Sequence, residues 1–143
     1  MAAKIFGKFF NSLTNKEVNL NTDSLKAMLV TNAFVPDQDL MQYKSSVTSE
    51  VVGNGYVAGG QVLTAVSVAY NGANNTLTLD FADPSWPASD IVARHLVVYD
   101  NTPATDATRP LIAWDDFGVD KISSAGAFTY TCNVAGFVTI TVA

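Results

Sequence analysis

The sequence predicts an all-β fold: an antiparallel β-sandwich, jelly-roll-like, with one short helix and an N-terminal arm. Three observations carry this. From Gln61 onward, short apolar runs alternate with clusters of Gly, Asn, Asp and Pro at near-regular spacing, the pattern of short strands joined by turns. Within the runs, apolar residues recur every second position, the period of a strand with one buried face. Long helical periodicity is missing from the same stretch.

Residues 1–16 read as the arm. Ile5, Phe6, Phe9, Phe10 and Leu13 fall at helix-like spacing, and such apolar bulk near a terminus demands burial. Two sites offer it: the base of the chain's own sandwich, or a neighbouring subunit. Ile5, Phe6, Phe9 and Phe10 are therefore the candidate subunit-interface residues. Residues 17–143 form the single sandwich domain, a length that one hydrophobic core serves.

The domain opens with EVNL (17–20) and SLKAMLVT (24–31) as its first strands. In the second, Leu25, Ala27, Leu29 and Thr31 share one face, and Lys26, Met28 and Val30 the other. The stretch PDQDLMQYKSSV (36–47) is the predicted helix of the body, with Asp37 as its cap and Leu40, Tyr43 and Val47 on one side. EVVGNGYVAGG (50–60) packs four glycines into eight residues. It leads into a strand rather than a helix and lacks phosphate-loop spacing, so it reads as a turn. QVLTAVSVAY (61–70), NGANN and TLTLDF (76–81) make the clearest hairpin. In ADPSWPAS, Pro84 and Pro87 bracket Trp86 and argue against regular pairing there; Trp86 reads as a plug over one end of the core. DIVARHLVVYD (90–100) is the next strand, NTPATDATR a polar loop, and PLIAWDDF (110–117) a strand ending at the turn GVDKISSAG (118–126). AFTYTC (127–132) and FVTITV (137–142), joined by NVAG, read as a final hairpin.

The 143 residues carry a net charge of −5 and only 15% charged side chains, against a usual quarter. The acidic balance and scattered Lys and Arg exclude nucleic acid as the expected partner. The chain has no run long enough for an apolar membrane helix. Its first residues make a poor signal peptide, so synthesis in the cytoplasm is expected. Neutral surface on many strands is surface for a partner or for copies of the same chain.

Chemistry-bearing constellations are sparse. Cys132 is the one cysteine and reads as a small buried side chain. His95, the one histidine, sits within an alternating strand and reads as packed. Asp115, Asp116 and Asp120 cluster, yet adjacent strand residues point to opposite faces and no calcium-loop pattern is present. The expectation is no catalytic residue, no metal and no cofactor.

Several segments resemble a family of small virion structural proteins of tailed bacteriophages. They are KAMLVTNAFVPDQD (26–39), EVVGNGYVAGGQVL (50–63), VAYNGANNTLTLDFADPSWPAS (68–89), RHLVVYD (94–100) and PLIAWDDFG (110–118). The residues that carry the resemblance are Gly53, Gly55, Tyr56, Ala58, Gly59 and Gly60 in the loop, and Asn75 through Leu79 with Asp83, Pro84 and Trp86 in the hairpin. Val97 to Tyr99, Pro110 to Ile112 and Asp116 to Gly118 complete the set. The likeness covers most of residues 17–143. It departs at Asn71, where Asp is common, and at Arg109, where Ser is usual. It implies a non-enzymatic virion protein: a head decoration or cement protein on the capsid exterior, bound to the major capsid protein and to copies of itself, with a trimer favoured. The alternatives are a tail, adaptor or fibre component, and a carbohydrate-adhesion module built on Trp86 or Trp114.

Overall fold

The computed structural model describes residues 3–143. Among these residues, eight strands form two antiparallel sheets. Five strands build the larger sheet: β1 at Lys4–Ile5, β2 at Leu25–Val30, β3 at Gln61–Val62, β6 at Ser85–Asp100 and β7 at Leu111–Thr129. Their order across it is β1–β7–β6–β2–β3. The smaller sheet has β4 at Ser67–Asn71, β5 at Thr76–Asp80 and β8 at Val138–Thr141, in the order β4–β5–β8. One α-helix, α1, spans Phe9–Thr14.

The main core lies between the sheets. Leu25, Ala27 and Leu29 of β2, Ile91, Ala93, Leu96 and Val98 of β6, and Ile112 and Ala113 of β7 meet Leu79 and Val138 of the small sheet. The opposite face of the large sheet is also dry. There Met28, Val30, Val97, Tyr99, Leu111 and Trp114 pack beneath Phe34, Met41 and Val47 from the loops after β2. This explains the composition of β2, which is apolar on both faces apart from Lys26: a strand covered on both sides loses polar alternation. The same change runs along β6. Its first half alternates between buried and exposed residues, and from His95 to Asp100 every residue is buried.

The predicted body helix does not form. Asp37 does act as a local cap, its Oδ1 accepting from the N–H groups of Asp39 (3.0 Å) and Leu40 (2.9 Å). The turn it starts is not continued, and only a 3-10 turn at Lys44–Ser46 follows. Leu40 is left exposed while Val47 packs on the outer core, so the predicted stripe is split rather than buried along one helical face. The first predicted strand is absent too: EVNL (17–20) pairs with nothing, and its Val18 enters the core from a loop.

β7 and β8 depart from the predicted final hairpin. The predicted turn GVDKISSAG lies inside β7, which runs unbroken from Leu111 to Thr129 against β6. The turn residues serve instead as irregularities within a ladder, including Gly118 at φ 79° and Ala125 at φ 49°. Consequently AFTYT closes the β6–β7 ribbon, with Trp86 opposite Phe128 and Ser85 opposite Thr129. FVTITV pairs with β5 rather than with AFTYTC. Regular pairing also reaches Ser85 and Trp86, and the ladder is disturbed only past Pro87, where the register shifts before Ser89. The run QVLTAVSVAY breaks at Ala65, whose φ is 50°, so that Gln61–Val62 joins one sheet and Ser67–Asn71 the other. The expected hairpin of β4 and β5 forms, with Tyr70 opposite Leu77 and Asn71, the first residue of the predicted turn, paired with Thr76.

Candidate interaction surface

The candidate interface residues Ile5, Phe6, Phe9 and Phe10 run from β1 to the first turn of α1. β1 adds to the edge of β7, with Lys4 opposite Trp114 and Ile5 opposite Ala113. The chain then wraps that edge. Phe6, fully buried, enters the outer core with its ring 4.5 Å from that of Trp114. Phe9, 2% exposed, enters the main core on the opposite face. Ile5 packs on the main core as well. As folded, Phe6 and Phe9 have no surface to offer a neighbour; of the four candidates, Ile5 is half-buried and Phe10 is 44% exposed. The apolar bulk that called for burial obtains it within the chain.

The glycine-rich loop is a clamp on the large sheet. Gly60 has φ 79°, and a Cβ there would overlap the Ala27 carbonyl of β2; a Cβ at Gly53 would overlap the Asp90 carbonyl of β6. These residues are small because backbone lies against backbone. Two tyrosines lock the loop down. The Tyr56 hydroxyl donates to Glu50 Oε1 (2.7 Å) and accepts from the Leu29 N–H (3.0 Å), and the Tyr99 hydroxyl donates to the Gly59 carbonyl (2.7 Å). Burial, with Glu50 beside it, raises Tyr56 far above an ordinary phenol; burial pushes Tyr99 up to about 12. Both stay neutral donors at any physiological pH.

The distal halves of β6 and β7 form a ribbon with an open edge. Among the described residues, β1 covers the outer edge of β7 only at Ala113 and Trp114, and no strand pairs with that edge from Asp115 to Thr129. Its N–H and C=O groups form a template for another chain. Val92 and Ile122 stand directly opposite each other on the ribbon and are 48% and 71% exposed. Next to them the ladder jumps from Ala93–Lys121 to His95–Asp116, so residues 117–120 bulge out and carry exposed Val119. Arg94 pairs with Asp116 across the bulge, and the Gly118 N–H caps the same carboxylate at 2.8 Å. The Arg94 guanidinium holds the Asp116 carboxyl below its usual range.

Beside the bulge lies a cavity of about 480 Å³, whose lining includes Asp115, Phe117, Lys121, Ile122, Phe128 and Tyr130. As expected for adjacent strand residues, Asp115 and Asp116 part company. Asp115 is 5% exposed, and its Oδ2 accepts from the Tyr130 hydroxyl at 2.7 Å. Sequence reasoning missed this site, since Tyr130 and Asp115 are brought together by a ladder that the expected turn would have prevented.

The remaining candidates are structural. His95 is buried, edge-on to Phe34 at 5.8 Å, with Nε2 3.8 Å from Asp116; burial lowers its pKa. The Cys132 thiol donates to the Phe81 carbonyl at 3.5 Å, and burial pushes it up to about 12, away from nucleophilic use. Trp86 and Trp114, the aromatics of the carbohydrate reading, are 2% and 6% exposed and give no platform for a sugar. Trp86 lies within the core, between Tyr56 and Phe128, rather than over its end. Among the described residues, no group of three His, Cys, Asp or Glu side chains is placed to hold a metal ion. No family model, no curated protein and no solved structure matches the chain.

Proposed function

We propose that this chain is a non-enzymatic structural protein of a phage particle, a decoration or cement protein that binds the capsid exterior and bridges major capsid subunits. The observation that carries the reading is the ribbon: an open β7 edge with the exposed Val92–Ile122 pair and Val119 beside it. An exposed edge next to apolar side chains is a liability on a solitary protein and an asset on one that docks. Backbone pairing along the edge sets register, and burying the side chains contributes roughly 25 cal/mol per Å² of apolar area. Repeating such a contact over a symmetric shell makes many modest interfaces into a stiff coat. The double-sided core and the clamped glycine loop support the same reading, because a cement protein must transmit load without deforming.

In this proposal the partners are the major capsid protein and further copies of the chain, favoured as a trimer. The test is sedimentation of the purified protein with empty capsids. Wild-type protein co-sediments, and Ile122→Lys, which places a charge on the exposed pair while leaving the core untouched, does not. Co-sedimentation with tail tubes instead would move the protein to the tail. Equal binding by Ile122→Lys would remove the ribbon from the interface.

A further inference from the structure

Asparagine followed by glycine is a reactive pair, because the glycine nitrogen attacks the asparagine side-chain carbonyl with no side chain of its own in the way. The chain has Asn54–Gly55 and Asn71–Gly72, all four residues exposed. The fold treats the two pairs in opposite ways. Asn71 ends the β4–β5 ladder opposite Thr76, and Gly72 begins the turn. Asn71 Oδ1 accepts from the Ala73 N–H at 2.9 Å, an Asx turn. That oxygen gains the negative charge when Cγ is attacked, so the turn places a donor where the charge develops. Gly72 has room to move, since a Cβ there would meet only the Tyr70 ring, at 3.9 Å. Asn54 is pinned to β6 instead. Its carbonyl accepts from the Asp90 N–H at 2.9 Å, and Gly55, at φ 78°, lies so close to β6 that a Cβ would stand 2.8 Å from the Ala88 carbonyl oxygen. Its side-chain amide donates to Asp90 Oδ2 at 3.5 Å, and that carboxylate opposes further negative charge beside it.

We infer that Asn71 is a self-modification site, deamidated by the nitrogen of Gly72, and that Asn54 is protected by the clamp of the glycine loop. The Gly72 nitrogen gives up its proton and bonds to Asn71 Cγ. The Cγ–Nδ2 bond breaks, and ammonia leaves with that proton, closing a cyclic succinimide. Water then opens the ring: attack at Cγ gives aspartate, and attack at the main-chain carbonyl gives isoaspartate. The balance is one water consumed, one ammonia released and one amide turned into a carboxylate. Either product adds one negative charge to the −5 of the chain. Isoaspartate also routes the backbone through Cβ, and the added methylene takes residue 71 out of its pairing with Thr76. The tip of the small sheet therefore carries a slow, one-way timer. The inference holds whatever the chain docks onto.

The experiment ages the purified full chain in warm, weakly alkaline water enriched in heavy oxygen, with and without urea. Peptides are followed by mass spectrometry, and isoaspartate is counted by enzymatic methyl transfer. In the folded chain, the Asn71 peptide is expected to lose ammonia and take up one heavy oxygen about tenfold faster than the Asn54 peptide. In urea the two rates should converge, because the difference belongs to the fold. Gly72→Ala, whose methyl group has space, is expected to slow Asn71 by about tenfold through its bulk beside the attacking nitrogen and to leave Asn54 unchanged. Equal rates in the folded chain, faster conversion at Asn54, no conversion at Asn71, a difference that survives in urea, or an Asn71 rate indifferent to Gly72→Ala would each overturn the inference.

Discussion

The N-terminal segment gives the sharpest test of how the fold is held together. Phe6 and Phe9 lie three residues apart and are buried on opposite faces of the large sheet, while Phe10 is 44% exposed. Phe6→Ala removes a ring that stacks on Trp114 at 4.5 Å, and Phe9→Ala opens the main core. Each substitution should cost about 3–5 kcal/mol, the transfer free energy of the ring plus the cavity left behind. Phe10→Ala, losing about half of that burial and leaving no cavity, should cost under about 1 kcal/mol. A domain of this size is stable by about 5–15 kcal/mol, so either core variant forfeits a large share and the double variant should not fold. The readout is urea denaturation followed by tryptophan fluorescence at several protein concentrations, with the midpoint compared at constant slope. A core variant should melt about 10 °C lower, whatever the concentration. If Phe6→Ala and Phe9→Ala left the midpoint unchanged but split an oligomer, the segment would be an arm on a neighbour and the account of the core would be wrong.

Further outcomes follow from the loops and the buried acid. Gly60→Ala should cost about 2 kcal/mol or more in thermal denaturation, since the residue sits at φ 79° with its missing Cβ directed onto the Ala27 carbonyl. Tyr56→Phe should cost about 1–3 kcal/mol by the same measurement, because the Leu29 N–H loses its acceptor and Glu50 a donor. Asp100 is fully buried at the end of β6, and burial, reinforced by nearby Asp23, pushes it up to about 6. The unfolded chain releases that proton nearer the ordinary aspartate value, so stability drops as pH rises from about 4 to 6 and is level above that window. Asp100→Asn can still accept from Thr102 N–H; it should add about 2 kcal/mol at pH 7 and almost nothing at pH 4, seen as converging melting curves. His95 acts in the opposite sense: burial lowers its pKa, so acid charges the unfolded state first, and His95→Gln should flatten the loss of stability below about pH 6.5.

Much of this architecture was legible from period-two patterning. The β4–β5 hairpin, the strand of Leu25–Val30 and the packed state of His95 all follow from alternation and from turn residues between runs. Reading failed where a local signal was overridden by pairing. Gly118, Ser123, Ser124 and Gly126 look like a turn, yet β6 opposite them is sixteen residues long and holds β7 in register through bulges. Once that turn is lost, AFTYT must close the ribbon, and FVTITV is released to the second sheet. The helix at 36–47 failed for a different reason: Met41 and Val47 cover the outer core from irregular chain while Leu40 stays exposed, so the residues of the predicted stripe do not share one face. The aromatic cavity was invisible because it depends on Asp115, within β7, and Tyr130, just past the end of that strand. No spacing rule joins them; the irregular course of β7 does.

The ribbon is the part of the molecule on which the functional account stands, and the most direct measurement is an image reconstruction of the particle to which the proposed function assigns this chain. The account predicts density for the two-sheet body on the outside of the shell, in many symmetry-related copies, with the β7 edge and the Val92–Ile122 pair turned towards the capsid. Copies absent from the shell, or seated with that edge facing solvent, would contradict it.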